Sequence, residues 1–486
     1  MKRLSLPKIA TTVVLFCLAT VVALPAQTFT TLFTFNGKDG AGWGNLIQGR
    51  NGNFYGAGGL GQYGQGEIYE ITPEGKLRSV YSFCPAGLPC TDGSDPSTPI
   101  QAANGNFYGV TRFGGAYGEG TVFELTPGGK LTVQHSFCAQ SCADGYDPWG
   151  FVQGFNGKLY GSTANGGAYD SGTIFEITPA GEFTTIYNFC SKPKCADGLG
   201  PGALALAPNG NLYGNTYAGP CTGCGTVFEV TPAGKLTVIY TFQSVGAYPQ
   251  GVTLGADGSF YGTTYYTGCC ALGGIAFKTT SEGKETTLYT FCSRTSCADG
   301  ELPQPLIQGT DGNLYGTTSF GGLNNCTSPP FQGCGTIFSI TPTETLSTLY
   351  SFCPQTNCPD GEYPAAAPMQ ATDGKFYGTT TAGGDQHAPC LNTGGGCGTI
   401  YSFDNGLAPF IESNPTFGRV GYKINILGNN LIGTTSVTFN GIPATFTVAS
   451  NSYLRATVPT GATTGTIQVA TPGGTLSSNV AFHVIP

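Results

Sequence analysis

The chain has 486 residues, enough for more than one domain, with 77 Gly, 32 Pro, 19 Cys and a formal net charge of −8. Only 10% of residues are charged, yet 25 Tyr and 31 Phe supply the apolar payload of a packed core, which argues against a disordered chain. The acidic balance disfavours nucleic acid or an anionic membrane surface as partner, and Gly-rich turns beside so much aromatic surface fit a chain of many short strands.

At the N-terminus, Lys2, Arg3 and Lys8 precede a mostly apolar run from Ile9 to Leu24, followed by Pro25-Ala26-Gln27. This is the layout of an export signal, with cleavage expected after Ala23 or after Ala26, and residues 1–26 are assigned to it. The run is short for an uncleaved anchor. Cys17 lies inside it behind Phe16, which is too large for a lipoprotein signal. Without the three basic residues the net charge becomes −11. No later segment is apolar enough to span a bilayer, so neither a membrane span nor a C-terminal anchor is expected in the mature chain.

Seven near-copies follow: "NGNFYG" twice, "NGKLYG", "NGNLYG", "DGSFYG", "DGNLYG" and "DGKFYG", with tyrosines at 55, 108, 160, 213, 261, 315 and 377. Units of about 50 residues signal a propeller or an array. Each unit carries four strand-like runs. In the sixth these are "PLIQG", a tight Asp311-Gly312 turn, "NLYGTT", a long Gly-rich loop, "GTIFSITP", a short turn and "LSTLYSF". Four antiparallel strands make one propeller blade. The seventh unit stops at "GTIYSFDNG", and the fourth run it lacks stands at the other end of the chain, "TTLFTF" at residues 30–35. An N-terminal strand that completes the last blade would close the ring and remove its open edges. A linear β-solenoid gives no reason for this offset.

Eighteen cysteines remain in the mature chain, an even number that implies a disulfide framework. Cys84/Cys90, Cys138/Cys142, Cys190/Cys195, Cys292/Cys297 and Cys353/Cys358 occupy one equivalent place in the repeat. Units that lack one member lack both, as a bonded pair predicts. Cys221/Cys224, Cys326/Cys334 and Cys390/Cys397 form a second set, with the neighbours Cys269-Cys270 left over. Each short bridge adds roughly 2 kcal/mol in the chain-entropy account. A single CxxC at Cys221/Cys224, with no second pair at zinc spacing, is a weak metal signal, and no metal site is assigned.

These units resemble the Gloeobacter/Verrucomicrobia tandem repeat of exported bacterial proteins, with its DG-x-[LF]-YG-TT, G-T-[VI]-F-x-[IL]-TP and L-Y-x-F elements, over residues 28–405. The resemblance implies a role outside the cell and carries no catalytic residue. Composition changes at residues 404–409, and cysteine stops after Cys397. The last 78 residues alternate strands of five to seven residues with Gly, Asn and Pro, as in a small β-sandwich. Pro409-x-Ile411, Ile426-x-Gly428-x-Asn430, Phe439-Asn440-Gly441, Val458-Pro459 and Gly465 to Thr471 resemble the IPT/TIG immunoglobulin-like domain, which implies a spacer or binding accessory.

In each blade the turns after runs one and three are tight. The other two connections are long, hold nearly all the cysteines, and fall on one face of the ring, where a rigid scaffold would present binding loops. Aromatic residues gather there: Tyr63, Tyr117 and Tyr169 in aligned loops, with Tyr146, Trp149, Tyr265, Tyr266, Phe320 and Phe331. Flat rings of this kind stack on sugars, although the aligned tyrosines would serve equally as wedges between blades. Gln48, Gln101, Gln153, Gln308 and Gln370 recur in run one, with Leu206 and Leu254 in units four and five; they read as side chains satisfying backbone groups rather than as a polar channel. Glu70, Glu124, Glu176 and Glu229 recur in run three, where Lys278, Ser339 and Ser402 follow. Paired carboxylates do glycoside chemistry, but copies at one blade position argue for structure. Asp92/Asp95 and Asp144/Asp147 offer oxygen ligands that suit calcium, against the simpler reading of turn formation. The histidines, His135, His387 and His483, form no catalytic grouping.

The sequence thus predicts an all-β protein: a signal peptide over 1–26, a seven-bladed β-propeller over 27–405 closed by its N-terminal strand, and an immunoglobulin-like β-sandwich over 406–486. The expected function is a non-enzymatic binding or scaffold protein at the cell surface, secreted or in the periplasm, recognising polysaccharide or a surface protein through the long-loop face. No cofactor is expected, calcium being the one candidate ion. The competing reading is a glycoside hydrolase or lyase with a site at the propeller centre.

Overall fold

The computed structural model describes residues 27–485 apart from 140, 222, 244–246, 268–272, 325, 329–330 and 386–394. The segment expected to be an export signal, Cys269, Cys270, His387 and Cys390 therefore lie outside the described residues. Among those described, strands dominate and two short 3-10 turns are the only helical elements.

Residues 28–404 form seven antiparallel blade sheets in the order first, second, third, fourth, six of them from consecutive strands, besides a small two-stranded hairpin at Thr327–Ser328 and Phe331–Gln332. Blade 6 is representative, with strands Glu301–Pro303 and Ile307–Gln308 (one strand broken in two), Leu314–Phe320, Thr336–Ile340 and Leu346–Ser351. Blade 7 takes Met369–Gln370, Phe376–Thr379 and Thr399–Asp404 from its own repeat and its outer strand, Thr28–Thr34, from the N-terminus. The register runs from Thr28 opposite Asp404 to Thr34 opposite Thr399, as the missing fourth run implied.

The repeated motif is explained by packing within and between blades. Gly312 sits at φ +84° in the turn, a conformation that costs glycine little. A Cβ at Gly316 would lie 2.6 Å from the Phe338 ring on the third strand, so "YG" lets two strands hold a phenylalanine between them. Tyr315 is buried and packs at a tilt on Phe376 of the next blade, with ring centres 4.3 Å apart. Tyr55 on Phe107, Tyr213 on Phe260 and Tyr377 on Phe54 repeat the contact, and the last of these joins blade 7 to blade 1. Third strands are buried on both faces, as "TIFSI" shows.

Each of these tyrosine hydroxyls meets a carboxylate, and the source of that carboxylate alternates. Where the turn is Asn-Gly, the third strand supplies glutamate: Tyr55 donates to Glu70 at 2.9 Å, Tyr108 to Glu124 at 2.9 Å and Tyr213 to Glu229 at 2.7 Å. In blade 3, Glu176 also binds Lys158 at 2.5 Å. Where the turn is Asp-Gly, the aspartate accepts instead: Tyr261 to Asp257 at 2.9 Å, Tyr315 to Asp311 at 2.9 Å, Tyr377 to Asp373 at 2.7 Å. The third-strand position is then free to become Lys278, Ser339 or Ser402. Lys278 reaches Asp257 at 2.7 Å, and hydrogen bonds and charge from this lysine help hold the Asp257 carboxyl down at about 2, against the opposing effect of burial. The glutamates are therefore structural. Asp311→Asn is expected to lower stability by about 1–2 kcal/mol by removing a charged acceptor from a buried hydroxyl. Adding Ser339→Glu should recover most of it, which urea unfolding of the two variants would check.

The glutamines lock neighbouring blades. Gln101 Oε1 accepts from Arg50 N–H at 3.0 Å, Gln153 from Ala103 at 2.9 Å, Gln308 from Ala256 at 2.7 Å, Gln370 from Thr310 at 3.0 Å, and Gln48 from Thr372 at 2.9 Å, the last across the ring closure. Leu254 replaces glutamine where the preceding blade offers Pro208, which has no N–H to satisfy. Backbone satisfaction is thus the role of these residues.

Seven disulfides have both cysteines among the described residues: Cys84–Cys90, Cys138–Cys142, Cys190–Cys195, Cys221–Cys224, Cys292–Cys297, Cys326–Cys334 and Cys353–Cys358. Cys397 is also disulfide-bonded. The bridges of Cys326 and Cys358 lie side by side, with these two sulfurs 3.9 Å apart.

Residues 409–485 form a sandwich of two four-stranded sheets, one ordered Glu412–Asn414, Lys423–Leu427, Tyr453–Thr457, Phe446–Val448, the other Ile442–Pro443, Ser436–Phe439, Ile467–Thr471, Gly474–Ser477. Ile424, Ile426, Val437, Phe439, Leu454, Ile467 and Phe482 fill the space between them. The sandwich docks on the tight-turn face of the ring. Asn414 Nδ2 donates to Gln101 O at 3.1 Å, Ser452 Oγ to Arg50 O at 3.2 Å and Phe410 N to Thr372 O at 3.0 Å. Phe417 packs on Phe155, with ring centres 4.0 Å apart.

Candidate functional site

The long-loop face is held by one device used five times. After each paired-cysteine loop an Asp-Gly step begins the next blade, and its carboxylate takes the ring substituent of the preceding fourth strand: Tyr81 to Asp92 at 2.8 Å, His135 to Asp144 at 2.8 Å, Tyr187 to Asp197 at 2.7 Å, Tyr289 to Asp299 at 2.8 Å and Tyr350 to Asp360 at 2.8 Å. Backbone N–H groups of the cysteine loop complete the shell, as Cys84 N–H does on Asp92 and Cys138 N–H on Asp144. Hydrogen bonds of this kind favour the ionised carboxylate; with His135 first among them they outweigh burial and hold Asp144 below its ordinary range. Asp92 and Asp144 thus serve the turn, and Asp147 pairs with Arg112 at 2.7 Å. Burial pushes Asp95 up.

The predicted aromatic residues fall into separate places. Tyr63, Tyr117 and Tyr169 stand 43%, 54% and 53% exposed on blades 1, 2 and 3, so they present rings to solvent rather than wedging blades. Trp149 is half-exposed on blade 3 and Tyr146 is partly buried beside it. Phe320 stacks on Phe331 at 4.7 Å and packs at a tilt on Tyr363 at 4.9 Å, one compact unit where blades 6 and 7 meet. Tyr265 and Tyr266 join two tyrosines that sequence reasoning missed. Tyr217, 52% exposed at the end of a second strand, stacks on Tyr248 at 4.3 Å; Tyr248 meets Tyr266 edge-on at 6.1 Å, and Tyr266 lies 5.7 Å from Tyr265. This is a four-ring platform across blades 4 and 5. The signal was available: both missed residues sit in connections assigned to the long-loop face, where the repeat departs from its usual residues.

Three buried glutamates also lie on this face, Glu301 and Glu362 directly after the Asp-Gly steps of blades 6 and 7. Glu67 and Glu301 are 1% exposed and Glu362 is 6% exposed, and burial raises each carboxyl to about 7. One oxygen of Glu67 and one of Glu301 have no hydrogen-bond partner. Glu67 occupies a place where blades 2, 3, 4, 6 and 7 have threonines paired across the second and third strands, such as Thr111 with Thr121 at 2.8 Å. The three acids belong to blades 1, 6 and 7 and share no hydrogen-bond partner among the described residues.

Comparison with known proteins bears on both parts of the chain. The family model described as the Gloeobacter/Verrucomicrobia repeat matches residues 19–146 and 95–329, and the IPT/TIG domain model matches 409–484. No curated protein sequence matches. Among solved structures, the extracellular domain of the hybrid two component system BT4673 from B. thetaiotaomicron aligns at 10% identity over 95% of this chain and 59% of its own, with a TM-score of 0.50. That of BT3049 from the same organism aligns at 11% over 94% and 58%, TM-score 0.48. A puromycin-hydrolyzing peptidase of Mycobacterium tuberculosis aligns at 12% over 81% and 59%, TM-score 0.48. The chain spans about three fifths of the length of these relatives, and the first likeness is one of fold. No helix among the described residues is long and apolar enough to cross a membrane.

Proposed function

Because this chain belongs to the Gloeobacter/Verrucomicrobia repeat family, we propose that it is an exported, non-enzymatic protein that binds polysaccharide through the long-loop face of its propeller. One observation carries the reading: the platform of Tyr217, Tyr248, Tyr265 and Tyr266, part-exposed and preset by ring-on-ring contact. Rigid aromatic rings offer large contact area at little entropic cost, and the apolar C–H face of a sugar ring matches them. The Cys221–Cys224 bridge lies in the loop that follows Tyr217, and the ring contacts themselves hold the four tyrosines together. Binding is favoured over glycoside cleavage because the three buried glutamates share no hydrogen-bond partner among the described residues, whereas hydrolysis uses two carboxyls working on one bond. The basic-apolar leader and the disulfide content both support export.

The test is a glycan array with the oxidised protein. Saturable binding to a polysaccharide is expected, weakened at least tenfold by Tyr217→Ala with Tyr248→Ala while the melting temperature changes little. No binding to any glycan, or binding untouched by the double variant, would overturn the proposal.

A further inference from the structure

On the opposite face the sandwich leaves a cleft. Its contacts with the ring are made at blades 7, 1, 2 and 3, through Thr372, Arg50, Gln101 and Phe155. Over blades 4, 5 and 6 the two domains stand apart and enclose a cavity of about 860 Å³, within the range of small-molecule sites. Its floor is where the glutamine lock fails. Leu206 and Leu254 replace glutamine there, and Pro208 removes an N–H, so the floor presents aliphatic surface where five other blades present amide groups. Val480 and His483 of the sandwich form part of the roof. Val480 is 46% exposed, an apolar side chain left facing open space.

The lining contains no Lys, Arg, Asp or Glu, although the chain as a whole is acidic. The polar side chains on the floor are already engaged: Gln308 accepts from Ala256 N–H and donates to Gly312 O at 3.1 Å, and Asn209 donates to Tyr213 at 3.0 Å. Burial lowers the His483 pKa, which favours the uncharged ring. A charged ligand would lose its hydration here with nothing to replace it, whereas an uncharged apolar molecule would meet a complementary wall. We infer that this interdomain cleft is a binding site for a neutral, predominantly apolar small molecule, distinct from the tyrosine platform.

The uncharged dye Nile red serves as probe. Its fluorescence should rise saturably with one site per chain, and the ring resonances of His483, one of three histidines, should shift at saturation. Leu254→Gln and Val480→Asp should each weaken binding at least tenfold. The first restores the residue that five blades carry, so its fold is expected to survive, and circular dichroism would verify it. Tyr217→Ala, on the far face, should leave dye binding unchanged. Non-saturable uptake, binding unaltered in both cleft variants, or an unmoved His483 signal would overturn the assignment.

Discussion

Deletion of residues 27–35 is expected to abolish cooperative folding of the propeller. The segment supplies the outer strand of blade 7, and its side chains do more than close a hydrogen-bonded edge. Phe29 stacks on Tyr350 of blade 6 at 4.1 Å and on Tyr401 at 5.2 Å, while Phe35 is fully buried against Tyr69 of blade 1 at 5.5 Å. Phe33 and Leu32 pack on the same core. Burying each such side chain is worth about 1.5–3 kcal/mol, so the loss is comparable with the 5–15 kcal/mol that holds a typical domain folded. It also bares the third strand, Thr399–Asp404, as an apolar edge open to pairing with other chains. The deletion variant should aggregate or melt broadly in calorimetry. A synthetic peptide of residues 27–36 added during refolding should restore a single sharp transition. A deletion variant that melts like the intact chain would show that the ring does not depend on this strand. Phe35→Ala alone should cost about 3–5 kcal/mol.

The second large effect is on pH. Glu67, Glu301 and Glu362 have carboxyls raised to about 7 from an ordinary value of 4.5. Below 4.5 these groups are protonated in both folded and unfolded chains and cost nothing. Between 4.5 and about 7 the unfolded chain ionises while the folded one holds its protons, so stability falls as pH rises and levels off above 7. Each carboxyl accounts for up to about 3 kcal/mol, and the three together for several. Asp144, Asp197 and Asp299 act in the opposite sense, held down by their Tyr, His, Ser and backbone donors against burial; their contribution is lost only as pH falls below the ordinary aspartate value of 3.8. The melting temperature should therefore peak between about pH 4 and 5 and decline toward pH 8. Glu67→Gln combined with Glu301→Gln and Glu362→Gln should flatten that decline. An equally steep slope in the triple variant would mean that these acids do not set it.

Much of this was legible in the sequence because the repeat is periodic. The offset of one strand located the ring closure, joint absence of cysteines identified the bridges, and the Asp-Gly and Asn-Gly steps marked the turns. All are relations between residues close in the chain or equivalent between copies. One such relation went unread: aspartate in the turn replaces glutamate on the third strand, because a single buried hydroxyl needs a single carboxylate. The pattern of Asn with Glu against Asp with Lys or Ser was there in the seven copies.

What the tertiary structure alone decided are contacts that follow no period. Tyr217 and Tyr248 meet across two blades because the ring's curvature brings the end of one second strand against the start of the next blade. The burial of Glu67, Glu301 and Glu362 depends on what covers them, which spacing cannot express. The seating of the sandwich on the turn face, with its uncharged cleft, joins residues several hundred positions apart through shape. Periodicity determined the scaffold of this protein, since each blade repeats one solution to strand packing; the sites arise where copies differ, and only folding shows which differences become neighbours.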